Sequence, residues 1–324
     1  MRGVRTRSSV ARRAAVTLAG AVLAGSAVLA GCVASPGSSS GPADGERRAS
    51  ASPSASAAGS QSPSASVSPS PTAPVWNPRP ASVAAVGDSI TRGFDACRVL
   101  EDCPEASWAT GSDARVNSLA LRLLGAPALT SHSWNLARSG SRMAELPGQM
   151  ARAARHKPGL VTVMVGANDA CRPSVDLMTP VEDFRAHFEA AMAGLRKASP
   201  TSQVYVTSVP DLWRLWSTGR DHPVGRQVWK LGVCASMLAD AEDLGPASER
   251  RRSAVRDRVV AYNDVLRDVC AADERCRYDG GAVFDYRFGV GQLSPWDWFH
   301  PSRDGQERLA EIAYRHVTAE RPPA

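Results

Sequence analysis

The chain has 324 residues, 43% of them apolar, with 38 Lys and Arg against 32 Asp and Glu for a formal charge of +6. Arg2, Arg5, Arg7, Arg12 and Arg13 carry five of those six charges, which leaves about +1 for everything after them and excludes a basic nucleic-acid-binding surface as the meaning of the net charge. The first 32 residues combine that basic start with an apolar run over 14–30 and then Leu29-Ala30-Gly31-Cys32, the pattern of an export signal.

Leu-Ala-Gly-Cys resembles the bacterial lipobox, in which the cysteine becomes a lipidated first residue, so Cys32 is the expected membrane anchor. Residues 33–75 are Ser, Pro, Ala and Gly with almost nothing large and apolar, too little burial to offset ordering entropy, and are expected to be a disordered tether. One domain follows over 76–324, long enough for a substantial core. Within it apolar strand-like runs at 82–86, 133–136, 160–165, 204–209 and 282–284 alternate with helical stretches at 116–124, 145–156, 181–198, 224–241, 249–272 and 305–317. Such alternation predicts βαβ units and a parallel sheet covered on both faces.

Besides Cys32 there are six cysteines, an even number that in an exported chain reads as three disulfides. Cys97–Cys103 and Cys270–Cys276 are close enough to pair locally, which leaves Cys171 with Cys234. No Cys-x-x-Cys or tight Cys/His group suggests a metal, and none is expected.

Chemistry in such a sheet gathers at the carboxyl ends of its strands. There the chain carries Gly87-Asp88-Ser89, then Arg138-Ser139-Gly140-Ser141, then Gly166-Ala167-Asn168-Asp169, and finally Asp297-Trp298-Phe299-His300-Pro301 before the last helix. A serine needs a base to become a nucleophile, and a histidine three residues after an aspartate offers one.

In order and rough spacing these four segments resemble the signature blocks of the SGNH, or GDSL-like, hydrolase family. The resemblance implies a flavodoxin-like three-layer α/β/α fold with a five-stranded parallel sheet. It implies a triad of Ser89, His300 and Asp297, and an oxyanion hole made by the N–H groups of Ser89 and Gly140 and the side-chain amide of Asn168. No metal or organic cofactor is implied. The stretches 163–171 and 209–212 are similar to the phospholipase B-like branch. The expected function is an exported, monomeric serine hydrolase of carboxylic esters, including acyl lipids, held to a membrane through Cys32. The alternatives are a deacetylase of surface polysaccharide and a catalytically idle binding lipoprotein on the same scaffold. Trp213 and Trp298 are the expected substrate contacts, and the disulfide loop after the first block, with Trp108, is expected to cover the site.

Overall fold

The computed structural model describes residues 75–321; the expected signal, the lipobox at Cys32 and nearly all of the tether lie outside the described residues. Five strands form one parallel sheet: β1 (Val83–Gly87), β2 (Ser133–Asn135), β3 (Leu160–Met164), β4 (Gln203–Val206) and β5 (Cys276–Tyr278), in the order β2-β1-β3-β4-β5. The helices in chain order are α1 (Ser89–Arg92), α2 (Leu119–Leu124), α3 (Ala126–His132), α4 (Leu146–Ala154), α5 (Ala167–Ala170), α6 (Val181–Ala198), α7 (Leu212–Gly219), α8 (Pro223–Trp229), α9 (Ala235–Leu238), α10 (Pro246–Ala271), α11 (Ala282–Asp285) and α12 (Arg303–Thr318).

Two cores explain the continuous apolar strands. Successive strand residues point to opposite faces. Ala84, Val86, Val161, Val163, Val204 and Val206 therefore meet α4, α6 and α10 on one side. Val83, Ala85, Leu160, Met164 and Tyr205 meet α2 and α12 on the other. With both faces covered, β1 and β3 are buried at every position. The long helices follow their end signals: α6 has Glu182 and Asp183 in its first turn and Arg196 and Lys197 in its last, matching the helix dipole.

The fifth strand is not the apolar run at 282–284. Gly280 and Gly281 take positive φ, and the Asp279 carboxylate accepts from the N–H groups of Gly281 and Val283, which winds 282–285 into α11. The strand is Cys276–Tyr278, tied to the end of α10 by Cys270–Cys276 and laid along β4. The expected helix at 224–241 is likewise two pieces, α8 and α9. Gly232 and Cys234 have positive φ between them, and Cys234 is bonded to Cys171. The third disulfide is Cys97–Cys103.

Candidate active site

The chain leaves β1 toward β2 on one side and β3 lies on the other, so the carboxyl ends of β1 and β3 flank the switch point where open α/β sheets form a crevice. Gly87 closes β1 with φ 146°, and a Cβ there would collide with the Met164 carbonyl of β3. Asp88 then caps α1, its Oδ1 accepting from Ile90 N–H at 2.9 Å. This turn presents Ser89, 7% exposed, at the amino end of α1.

His300 meets Ser89 from the loop before α12. Its Nε2 lies 2.8 Å from Ser89 Oγ, and its Nδ1 lies 2.5 Å from Asp297 Oδ2. The other carboxylate oxygen, Asp297 Oδ1, accepts from the N–H groups of Phe299 (2.9 Å) and His300 (3.0 Å). Burial works against the Asp297 charge, but the hydrogen bond from His300 and these N–H donors outweigh it and hold the carboxyl below its ordinary range. The rings of Phe94 and Phe299, each centred 4.9 Å from the imidazole, restrict its rotation. The loop itself is pinned by Ser294 N–H donating to the His300 carbonyl and by Trp229 Nε1 donating to the Asp297 carbonyl.

Across the crevice, Gly140 takes φ 80° and a Cβ on it would meet open space. The N–H groups of Ser89 and Gly140 donate to no group among the described residues. Asn168 Nδ2 donates to the Ser141 carbonyl at 3.0 Å, which ties the third segment to the second. One residue that the motif spacing did not single out joins the rest. Gln149 of α4 accepts from Gly87 N–H (2.7 Å) and donates to the Gly87 carbonyl (2.9 Å) and to Ser141 Oγ (3.0 Å). Its signal was available: an amide on the helix face that also carries Leu146, Met150 and Ala153 buries a polar group that must find partners.

A cleft of about 500 Å³ opens over these groups, with Phe94, Leu100, Val228, Leu231, Trp296 and Phe299 among its walls. A larger groove of about 630 Å³ between α10 and β5 contains none of this cluster, so size alone does not locate the chemistry. The tryptophan expectations need correction. Trp298 is 7% exposed and its ring stacks on His222 with centroids 3.6 Å apart, because the core beside Gly225 takes it up. Trp213 packs edge-to-face on Trp216 and against the core. Neither lines the cleft; Trp296 does. Of the disulfide loop, Leu100 reaches the cleft, whereas Trp108 is wholly buried in the core beneath α2 and α12.

Further carboxyls crowd the crevice. Burial pushes the Asp88 carboxyl up to about 7, with Ile90 N–H and His300 pulling it down and Asp169 adding to the rise. Burial likewise pushes Asp169 up to about 6. Unfolded, each would titrate near 3.8, so the folded chain holds extra protons above that value. The contribution of these two carboxyls to stability therefore falls as pH rises from about 4 to about 7. Asp88→Asn keeps the acceptor for Ile90 and removes the titration. It is expected to raise Tm at pH 8 and leave it nearly level at pH 4. Thermal scans at both values check this, and an equal shift at each would reject it.

Residues 83–313 match the model of the GDSL-like Lipase/Acylhydrolase family. No curated protein matches the chain. Similar solved structures include TesA, at 19% identity over 72% of this chain and 96% of that one, with a TM-score of 0.39. An extracellular lipase from Streptomyces rimosus is similar at 18% identity over 74% and 99%, TM-score 0.39. A family 3 carbohydrate esterase from Clostridium thermocellum is similar at 13% identity over 72% and 93%, TM-score 0.43. At those identities and scores the likenesses carry nothing about substrate. The family model spans most of the chain and includes the Ser89, Gly140, Asn168 and His300 segments, so the protein belongs to the GDSL-like lipase/acylhydrolase family and is an ester hydrolase.

Proposed function

We propose that this hydrolase cleaves acyl esters, including those of lipids, through an acyl-enzyme on Ser89. His300 Nε2 takes the Ser89 proton as Oγ attacks the ester carbonyl. Asp297 holds the imidazole in the tautomer that leaves Nε2 free, and stabilises the imidazolium once formed. The carbonyl oxygen becomes an oxyanion, met by the N–H groups of Ser89 and Gly140 and by the Asn168 amide. As the intermediate collapses, His300 returns its proton to the departing alcohol. Water then attacks the acyl carbon while His300 takes its proton, the bond from that carbon to Ser89 Oγ breaks to release the acid, and His300 returns the proton to Oγ.

The observation that carries this reading is the 2.8 Å approach of His300 Nε2 to Ser89 Oγ at the floor of an apolar cleft. The apolar walls favour an acyl chain over an acetylated sugar, whose hydroxyls would need polar partners. The similarity of 163–171 and 209–212 to the phospholipase B-like branch points the same way. The basic start, apolar run and lipobox at Cys32 support export and a lipid anchor, which would bring the domain to its substrate.

The test is turnover of p-nitrophenyl esters from acetate to palmitate. Rates that peak from octanoate upward are expected; activity confined to acetate would overturn the acyl-lipid reading. A chain that turns over none of them and fails to label with a fluorophosphonate would overturn the mechanism as well.

A further inference from the structure

Asp95 belongs to none of the four segments, yet its carboxyl adjoins the reacting groups. It lies just beyond α1, is completely buried, and takes φ 55°, a left-handed conformation that aspartate tolerates. Its backbone N–H donates to the Glu101 carbonyl at 3.1 Å, and its Oδ1 accepts from Leu100 N–H. These bonds shape the loop closed by Cys97–Cys103. One acceptor oxygen suffices for that, and an asparagine would supply it. The second oxygen, Oδ2, is buried with no hydrogen-bond partner. Polar atoms of Asp95, Asp297 and His300 all lie within 4.8 Å of one another. Both imidazole nitrogens already face Asp297 and Ser89, so the trio is not arranged around a cation.

A buried, unpartnered carboxyl is costly to the fold, and its loop needs only half of it. We propose that Asp95 is a positioning residue for catalysis, whose carboxyl sets through its charge how firmly the Asp297–His300 pair holds a proton. This rests on the hydrolytic reading of Ser89, His300 and Asp297 above.

The electrostatics agree. Burial first, and then the charge of Asp297 and the contact of its carboxyl with that of Asp95, push the Asp95 carboxyl up to about 6, while Leu100 N–H and His300 draw it down. Two like charges in one site cannot both ionise freely, and Asp297, with its three donors, keeps its charge. Other charged groups face this cluster from each side. Asp88 adjoins His300 from the start of α1. On the disulfide loop Asp102 is paired with Arg92, and Arg98 with Glu101 and Glu105. None of these changes when Asp95 alone is replaced.

The sign follows. An ionised Asp95 favours the imidazolium and so keeps His300 protonated, and idle as a base, to higher pH. Asp95→Asn retains the oxygen for Leu100 N–H but removes the charge. The acid limb of kcat/KM on a soluble, uncharged ester should therefore move to lower pH by about one unit, in line with a neighbouring charge at this range. KM should change less than about twofold, because asparagine keeps the size of the side chain and the oxygen that accepts from Leu100 N–H. A purely structural role would lower the rate at every pH and leave the limb in place; that result would overturn the proposal.

A measurement that needs no turnover separates this from failure of the hydrolytic reading. Nitrogen-15 histidine NMR of the chain carrying Asp88→Asn, which removes the other carboxyl that titrates beside the imidazole, with His300 assigned through His300→Gln, should show its ring resonances responding to a second ionisation near pH 6. Asp95→Asn should abolish that response. If adding Asp95→Asn prevents folding, the Asp88→Asn titration decides alone: a curve with a single ionisation overturns the proposal.

Discussion

Ser89→Ala is expected to lower kcat by about 10⁵-fold or more on every ester the protein hydrolyses, and to abolish labelling by a fluorophosphonate. The hydroxyl is the atom that faces His300 Nε2 at 2.8 Å, and no second hydroxyl among the described residues approaches that nitrogen. The donors around the crevice would remain, so a small rate above that of water should survive. The fold should survive too. Ser89 is not the cap of α1; Asp88 is, through its bond to Ile90 N–H. Alanine at the first helical position is otherwise favourable. The measurement is kcat on a p-nitrophenyl ester beside a thermal scan. More than about one hundredth of wild-type activity, in a variant of unchanged Tm, would mean that Ser89 is not the nucleophile.

Asp297→Asn is expected to cost about 10⁴-fold in kcat with little change in Tm. The reason lies in how the carboxylate is held. Its Oδ1 receives the N–H groups of Phe299 and His300 at 2.9 and 3.0 Å, so an asparagine would place its carbonyl oxygen there. The NH₂ group must then occupy the Oδ2 position, where it points donors at His300 Nδ1. That selects the tautomer with hydrogen on Nε2, which cannot accept the Ser89 proton. Geometry is kept and the base is lost. Steady-state rates at pH 8 check this, and retention of more than about a tenth of the activity would show that His300 does not depend on Asp297 for its tautomer.

Parts of this design were legible without coordinates. The continuous apolar runs at 83–86 and 160–164 are buried on both faces, and runs of that kind read as parallel strands because no alternation marks an exposed face. Helix α6 was predicted with its observed ends, since Pro180, the acidic first turn and the basic last turn mark them chemically. Strand β5 was not. Cys-Arg-Tyr has no strand pattern of its own and becomes one by pairing with β4, whereas Ala-Val-Phe is drawn into a turn of helix by the Asp279 cap. The split between α8 and α9 was hidden for a similar reason, because the Cys171–Cys234 bond and the left-handed turn at Cys234 override a helical pattern.

By itself the sequence determined which segments gather toward the carboxyl edge of the sheet, because Gly-Asp-Ser, Asn168 and Asp-x-x-His are local patterns whose order survives packing, even though the strand expected before Asp297 lay elsewhere. Only the tertiary structure decided which neighbours surround them. Trp298 turned into the core while Trp296 reached the cleft, and Gln149 and Asp95 arrived at the site from segments with no motif. Side-chain direction and the burial of a charge depend on what the rest of the chain places nearby, and that information is absent from a local pattern.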